Sequence, residues 1–138
     1  MARTDALPED PAISRTVKLL GGRQTLRRQI HSPLDAHDLI QQGLPGHALT
    51  HLVRTIAMLQ APHHGALEKA VGISVRTYQR RKDAPDRKLS PEQSGRTWKF
   101  AEILGRATEI FGSQAEAEQW LERPAMALDQ RRLQPPAI

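Results

Sequence analysis

The chain has 138 residues, no cysteine and a formal net charge of +5. Its length suits one domain or two very small ones, and the lack of cysteine excludes a disulfide framework and a thiolate metal site. The sequence has neither a run of about 18 apolar residues nor the apolar core of a signal peptide, so we expect a soluble, cytoplasmic protein that does not enter a membrane.

The predicted elements of the first half are helices after a polar start. Residues 1–13 contain two prolines, and we expect them to be disordered or loosely attached. Ser32 as N-cap, followed by proline, predicts a helix that stops at Gly43. In the next helix, apolar residues recur at i, i+3, i+4 and i+7, the spacing of one buried face. They are Leu49, Leu52, Val53 and Ile56.

The stretch VGISVRTYQRRK, Val71–Lys82, has the pattern of a helix-turn-helix. Gly72-Ile73-Ser74 is the expected tight turn, where glycine supplies a positive φ between two short helices. The second helix of such a motif enters the major groove of DNA by its N-terminal end. Its expected packed underside consists of Val71, Ile73, Val75 and Tyr78.

The basic side chains of this stretch are interpreted as the DNA contacts. Residues 74–88 contain six basic and two acidic residues, arginine pairs with guanine, glutamine pairs with adenine, and the following cations suit phosphates. The predicted DNA-binding residues are Ser74, Arg76, Thr77, Gln79, Arg80, Arg81, Lys82, Arg87 and Lys88. Two observations keep a solvated helix end open as the alternative: Glu68 replaces the usual small residue of the first helix, and the helix dipole by itself favours cations at a C-terminus.

The second half of the chain is predicted to contain two more helices. One begins at Ser90-Pro91 and stops at Gly112, and its expected buried stripe is Phe100, Ile103, Leu104, Ala107 and Phe111. Trp98 lies off this stripe and is interpreted as a contact with another chain. The last helix starts with a capping box of Ser113 and Glu116 and ends before Pro124. No segment alternates with period two, so the predicted fold class is all-α.

Catalytic and metal-binding motifs are lacking from the sequence. His47 and His51 are spaced for one helical face, but no glutamate of the metalloprotease type lies between them. The sequence also has no nucleophile elbow and no glycine-rich phosphate loop. We therefore expect neither an enzyme nor a cofactor or metal.

Val71–Lys82, followed by LSPEQSGRTWKFAEILGRATEIFGSQAEAEQWLERPAMALDQRR, resembles the antitoxins of the Xre/MbcA/ParS group, whose partners are RES-domain toxins. The resemblance covers the chain from Leu19 to Arg132. It implies a helical bundle with an Xre-like helix-turn-helix domain at residues 14–88 and a small toxin-binding domain at residues 89–138. It also implies a homodimer, a toxin that consumes NAD or attaches ADP-ribose to proteins, and autoregulation through operator DNA.

Within that resemblance, toxin binding falls on the C-terminal region. The expected toxin-binding residues are Trp98, Glu102, Arg106, Glu109, Trp120 and Leu121. The family usually continues after PAMALDQRR with another amphipathic helix, whereas this sequence continues LQPPAI, so we expect a truncated domain without its last helix. The alternatives are a stand-alone dimeric helix-turn-helix repressor and a helical scaffold with a solvated basic face.

Overall fold

The structure, a computed structural model, describes residues 10–60 and 64–122. The helices are α1 Pro11–Leu19, α2 Gly22–Leu26, α3 Pro33–Gln42, α4 Gly46–Thr55, a 3₁₀ turn Ala57–Leu59, α5 with an α-helical start His64–Ala66 and a π-helical end Leu67–Val71, α6 Val75–Asp83, α7 Pro91–Phe111 and α8 at residues 114–122. The described ranges contain no strand beyond a single bridge between Pro45 and Lys88. The all-α prediction is confirmed.

Serine side chains cap the N-termini of α3, α7 and α8. Ser32 Oγ accepts a hydrogen bond from the Asp35 backbone N–H at 3.1 Å, and Ser90 forms a capping box with Gln93 at the start of α7. Ser113 Oγ accepts from the Glu116 N–H at 3.2 Å. Each bond satisfies one of the backbone donors that a helix N-terminus leaves without a partner. The predicted starts of these three helices are therefore confirmed.

The start of α1 corrects the prediction for the N-terminal segment. Asp10 Oδ1 accepts a hydrogen bond from the Ala12 N–H at 2.9 Å, and Pro11 occupies the first turn of the helix. Ile13 is only 7% exposed. The expectation of disorder is wrong for residues 10–13, because an aspartate cap followed by proline is itself a helix start. Residues 1–9 lie outside the described part of the chain.

One hydrophobic core joins the helices, and α7 lies at its centre. α7 packs against α1, α3 and the π-helical end of α5, while α4 packs against α6. Side chains from both halves of the chain are fully buried there, among them Leu20, Leu49, Leu52, Ile56, Ile73 and Leu104. The predicted domains at 14–88 and from 89 onwards therefore share one core in the described residues, and their separation of function stays a prediction. The expected lack of a last helix concerns residues 123–138, outside the described ranges.

The buried face of α7 differs from the predicted stripe. Phe100, Leu104 and Ala107 are buried as expected, but Ile103 is 39% exposed and Phe111 is 40% exposed. Trp98 is 6% exposed and belongs to the core, so its interpretation as a surface contact is wrong for this chain. The reason is that several helices cover α7 from different sides, so its buried arc is wider than one stripe and turned towards Trp98.

A buried hydrogen bond holds the link between α3 and α4 against α7. The Leu44 N–H donates to Ser94 Oγ at 2.7 Å, and both residues are fully buried. We expect Ser94→Ala to lower the free energy of unfolding by about 1–3 kcal/mol, because it leaves a buried N–H without an acceptor. Urea denaturation measures this, with the exposed Ser14→Ala as the control. A loss below about 0.5 kcal/mol, as for an ordinary surface change, would contradict the expectation.

Candidate nucleic-acid interface

The turn between α5 and α6 has the geometry of a helix-turn-helix. Gly72 ends α5 with a φ of 79°, in the left-handed region that favours glycine. Ile73 is 2% exposed and anchors the turn in the core. Ser74 Oγ then accepts a hydrogen bond from the Thr77 N–H at 3.1 Å and starts α6. The predicted roles of these three turn residues are confirmed.

The inner side of α6 rests on the core. Val71 and Ile73 are buried just before it, and Tyr78 is partly buried against the same cluster. Val75 is half-buried. Because α4 packs along this side of α6, the helix is fixed in position and can present only its other side. The predicted underside is confirmed for Val71, Ile73 and Tyr78, whereas Val75 lines a cleft beside the core.

The outer side of α6 presents three of the predicted base-reading residues together. Arg76, Gln79 and Arg80 are all exposed and follow the i, i+3, i+4 spacing of a single helix face. Lys82 is also exposed but lies one turn after Tyr78 and lines a cleft with that side chain. Two guanidinium groups and one amide on adjacent turns are the donors and acceptors that recognise guanine and adenine in the major groove. This face is therefore chemically suited to direct readout of DNA bases.

Three other predicted DNA contacts, Ser74, Thr77 and Arg81, are half-buried in the free chain. Ser74 Oγ donates to Thr77 Oγ1 at 3.0 Å, so both hydroxyls take part in the helix cap. Arg81 is half-buried, and within the described residues its buried Nε has no hydrogen-bond partner. Arg81 follows Tyr78 by three positions and so lies towards the inner side, where its Cβ approaches Gly46. Arg81 is therefore less available to phosphates than its neighbours.

The loop after α6 carries the remaining predicted contacts on a fixed backbone. The Gly46 N–H donates to Arg87 O at 2.8 Å, and the Leu89 N–H donates to Leu44 O at 2.8 Å. The side chains of Arg87 and Lys88 are exposed. Both cations are thus held at the C-terminal end of α6 and point to solvent.

Arg96 on α7 supports the turn, a role that no local sequence pattern indicates. Its Nη1 donates to Gly72 O at 3.0 Å, while Glu92 lies 3.4 Å from its Nη2 one helical turn earlier. A Cβ added at Gly72 would lie 3.0 Å from Arg96 Cδ, so glycine also makes room for this side chain. The partners are 24 residues apart, beyond the reach of any local pattern.

Residues 35–102 match the family model described as the antitoxin Xre-like helix-turn-helix domain. The match supports an Xre-type antitoxin. It spans α3 to the middle of α7 and so includes the turn, α6 and Arg96. The Xre-like antitoxin domain is a DNA-binding regulator, and the family is not one of enzymes. No curated protein and no solved structure shows a significant match to the chain.

The charged residues predicted to bind a toxin lie along the second half of α7. Glu102 Oε1 is 3.3 Å from Lys99 Nζ on the same helix. Glu109 forms an ion pair with Arg15 of α1. Arg106 is exposed. Arg106 is therefore accessible, whereas Glu102 and Glu109 each pair with a cation within the chain.

The apolar members of the same prediction are divided between surface and core. Trp120 is 45% exposed, and its ring lies 5.7 Å from that of Phe111. Ile110 beside them is 78% exposed, which makes it the most exposed large apolar side chain of the described residues. Leu121 is half-buried against the core, and Trp98 is buried in it. Phe111 and Trp120 therefore form an exposed aromatic pair on α7 and α8, which together with the exposed Ile110 is called the apolar patch.

No metal or membrane feature is found in the described residues. His47 Nε2 lies 3.4 Å from Asp86 Oδ1, but residues 10–60 and 64–122 hold no group of three side chains that could bind a metal ion. None of the helices in these ranges has the length and apolar character needed to cross a membrane.

Proposed function

We propose that this chain is the antitoxin of a type II toxin–antitoxin system, which represses its own operon through α6 and neutralises a RES-type toxin through α7 and α8. The DNA part rests on one observation. Arg76, Gln79 and Arg80 are exposed on one face of a helix whose opposite side is fixed on the core, next to a turn of helix-turn-helix geometry. A rigid helix with this face can enter the major groove without rearrangement.

The charge distribution around α6 supports operator binding. Arg87 and Lys88 extend the positive surface from the base-reading face to the following loop. Phosphate contacts of this kind supply affinity and orientation, while the face of α6 supplies the sequence preference. Binding would therefore weaken steeply as salt concentration rises, because each neutralised phosphate releases counterions.

The toxin part rests on the resemblance of residues 89–132 together with the apolar patch of Ile110, Phe111 and Trp120. Exposed aromatic side chains beside aliphatic ones are typical of the centre of protein interfaces, and charged residues are typical of the rim. Arg106 lies on the same half of α7 and suits that rim. The antitoxin itself performs no chemistry; the partner would be an NAD-consuming or ADP-ribosylating RES toxin in the cytoplasm, bound by a homodimer.

Co-expression with a RES-domain protein encoded beside this chain tests the proposal. With a tag on this chain only, we expect the toxin to co-purify and the cells to survive. Ile110→Asp with Trp120→Ala should abolish capture of the toxin, because the first change adds a negative charge to the apolar patch and the second removes its largest side chain. DNA binding should remain. Leu34→Asp is the matched control, because it places a charge at another exposed large apolar side chain, on α3. DNA binding without toxin capture by the unaltered chain would instead support the stand-alone repressor.

A further inference from the structure

A second basic surface lies beside the loop that follows α6. Arg27 and Arg28, at the end of α2, line a cleft of about 270 Å³ together with His47, Asp86 and Lys88. The arginines are about 60 residues away from Lys88 in sequence, so the fold alone brings these cations together. Three permanent cations share this cleft with one carboxylate.

The backbone of Arg27 is unusual for its residue type. Its φ of 61° makes it the single non-glycine residue with a positive φ in the described ranges. It closes α2 in the left-handed conformation, a position that glycine occupies without strain. A strained residue of this kind motivates a functional hypothesis, because the conformation is unfavourable for a residue with a side chain.

The guanidinium groups have weak partners within the chain. Arg27 Nη2 lies 3.6 Å from Asp86 Oδ1, and both side chains are more than 70% exposed, at 75% and 81%. An ion pair so exposed to water contributes little and is easily exchanged. Arg28 Nη1 donates to Gln42 Oε1 at 3.2 Å. Because a guanidinium has five N–H donors, most donors of both arginines remain available for a ligand.

The cleft is held in a constant position relative to the base-reading face. Asp86 and Lys88 belong to the loop that begins where α6 ends, and the backbone of this loop is bonded to the start of α4. Arg27 approaches Asp86 from the opposite wall. Arg87 and Lys88 therefore connect the basic face of α6 with the arginines at the end of α2, although the exposed carboxylates of Asp83 and Asp86 lie between them.

We propose that Arg27 and Arg28 bind phosphates of the DNA backbone next to the bases that α6 reads, which extends the DNA footprint beyond the helix-turn-helix. This inference rests on the proposed operator binding. The planar guanidinium fork suits phosphate oxygens, and the continuity with α6 favours DNA over an acidic protein. Arg27 would exchange its weak, exposed contact with Asp86 for a phosphate.

The test compares the salt dependence of DNA binding between charge variants. Arg27→Gln with Arg28→Gln removes the two cations and keeps a polar side chain at each position. We expect the slope of log K against log salt to become less steep by about 1.8, since each phosphate contact contributes about 0.9. The ratio of wild-type to variant affinity should therefore shrink about tenfold between 50 and 200 mM salt, with operator preference unchanged.

Two further variants keep the test specific. Lys18→Gln with Lys99→Gln removes the same net charge from exposed positions on α1 and α7 and should leave the slope as it is. Arg27→Lys with Arg28→Lys keeps the charge and should restore the slope. A wild-type slope in the glutamine variant, folded by circular dichroism, would overturn this inference alone. Failure of the unaltered chain to bind DNA at low salt would overturn the proposed function and this inference with it.

Discussion

Replacing Trp98 by alanine is expected to lower the free energy of unfolding by about 3–5 kcal/mol. The side chain is 6% exposed and belongs to the main hydrophobic cluster on α7. Truncation would remove a large apolar surface from the core and leave a cavity that the surrounding helices can fill only in part. Urea or thermal denaturation of the chain without any partner measures the effect.

Trp120→Ala is the matched control, because the same residue type there is 45% exposed. Its main described contact is the ring of Phe111 at 5.7 Å, and an aromatic pair contributes about 0.5–1.5 kcal/mol beyond area burial. We therefore expect a much smaller loss of stability from Trp120→Ala than from Trp98→Ala. A stable Trp98→Ala variant that fails only in partner binding would show that Trp98 is an interface residue after all.

Replacing Arg76 and Arg80 together by alanine is expected to weaken operator binding by about 30-fold or more. Both side chains lie on the exposed face of α6, away from the core. A bidentate contact between an arginine and a guanine contributes about 1–3 kcal/mol of discrimination, so the loss of two such contacts removes most of the preference for the operator. Fluorescence anisotropy with labelled operator and with scrambled DNA measures both affinities.

The control for this variant is Lys99→Ala with Arg106→Ala, which removes the same charge from exposed positions on α7. Arg81→Ala is unsuitable as a control, since Arg81 is half-buried and packs near Gly46. The unfolding midpoint of the Arg76/Arg80 variant should remain near that of the unaltered chain, because neither side chain is buried. Unchanged operator preference in a folded variant would exclude this face of α6 from base recognition.

Features determined by neighbouring residues could be predicted from the sequence. The serine caps at Ser32 and Ser90 and the left-handed glycine at Gly72 depend on side chains and backbone a few positions apart. The outward face of α6 follows from the helical period in the same way. For this reason the turn, the exposed basic face of α6 and the all-α class were predictable.

Features that depend on distant parts of the chain could not be predicted in this way. The burial of Trp98 results from the several helices that surround α7, whereas a single stripe assumes one partner. The bond from Arg96 to Gly72 spans 24 residues, and that from Leu44 to Ser94 spans 50. The approach of Arg27 to Asp86 is likewise a result of tertiary packing. The contacts that hold the candidate site in place therefore depend on tertiary packing, whereas the exposed face of α6 follows from the local sequence.

The most direct test of DNA recognition by α6 is the affinity of the unaltered chain for its own promoter DNA, measured against a scrambled duplex between 50 and 200 mM salt. DNA recognition by α6 predicts a steep fall in both affinities with salt, because phosphate contacts release counterions, and a preference for the promoter that persists at the higher salt concentration. Absence of binding at 50 mM salt, or equal affinity for the two duplexes, would contradict it.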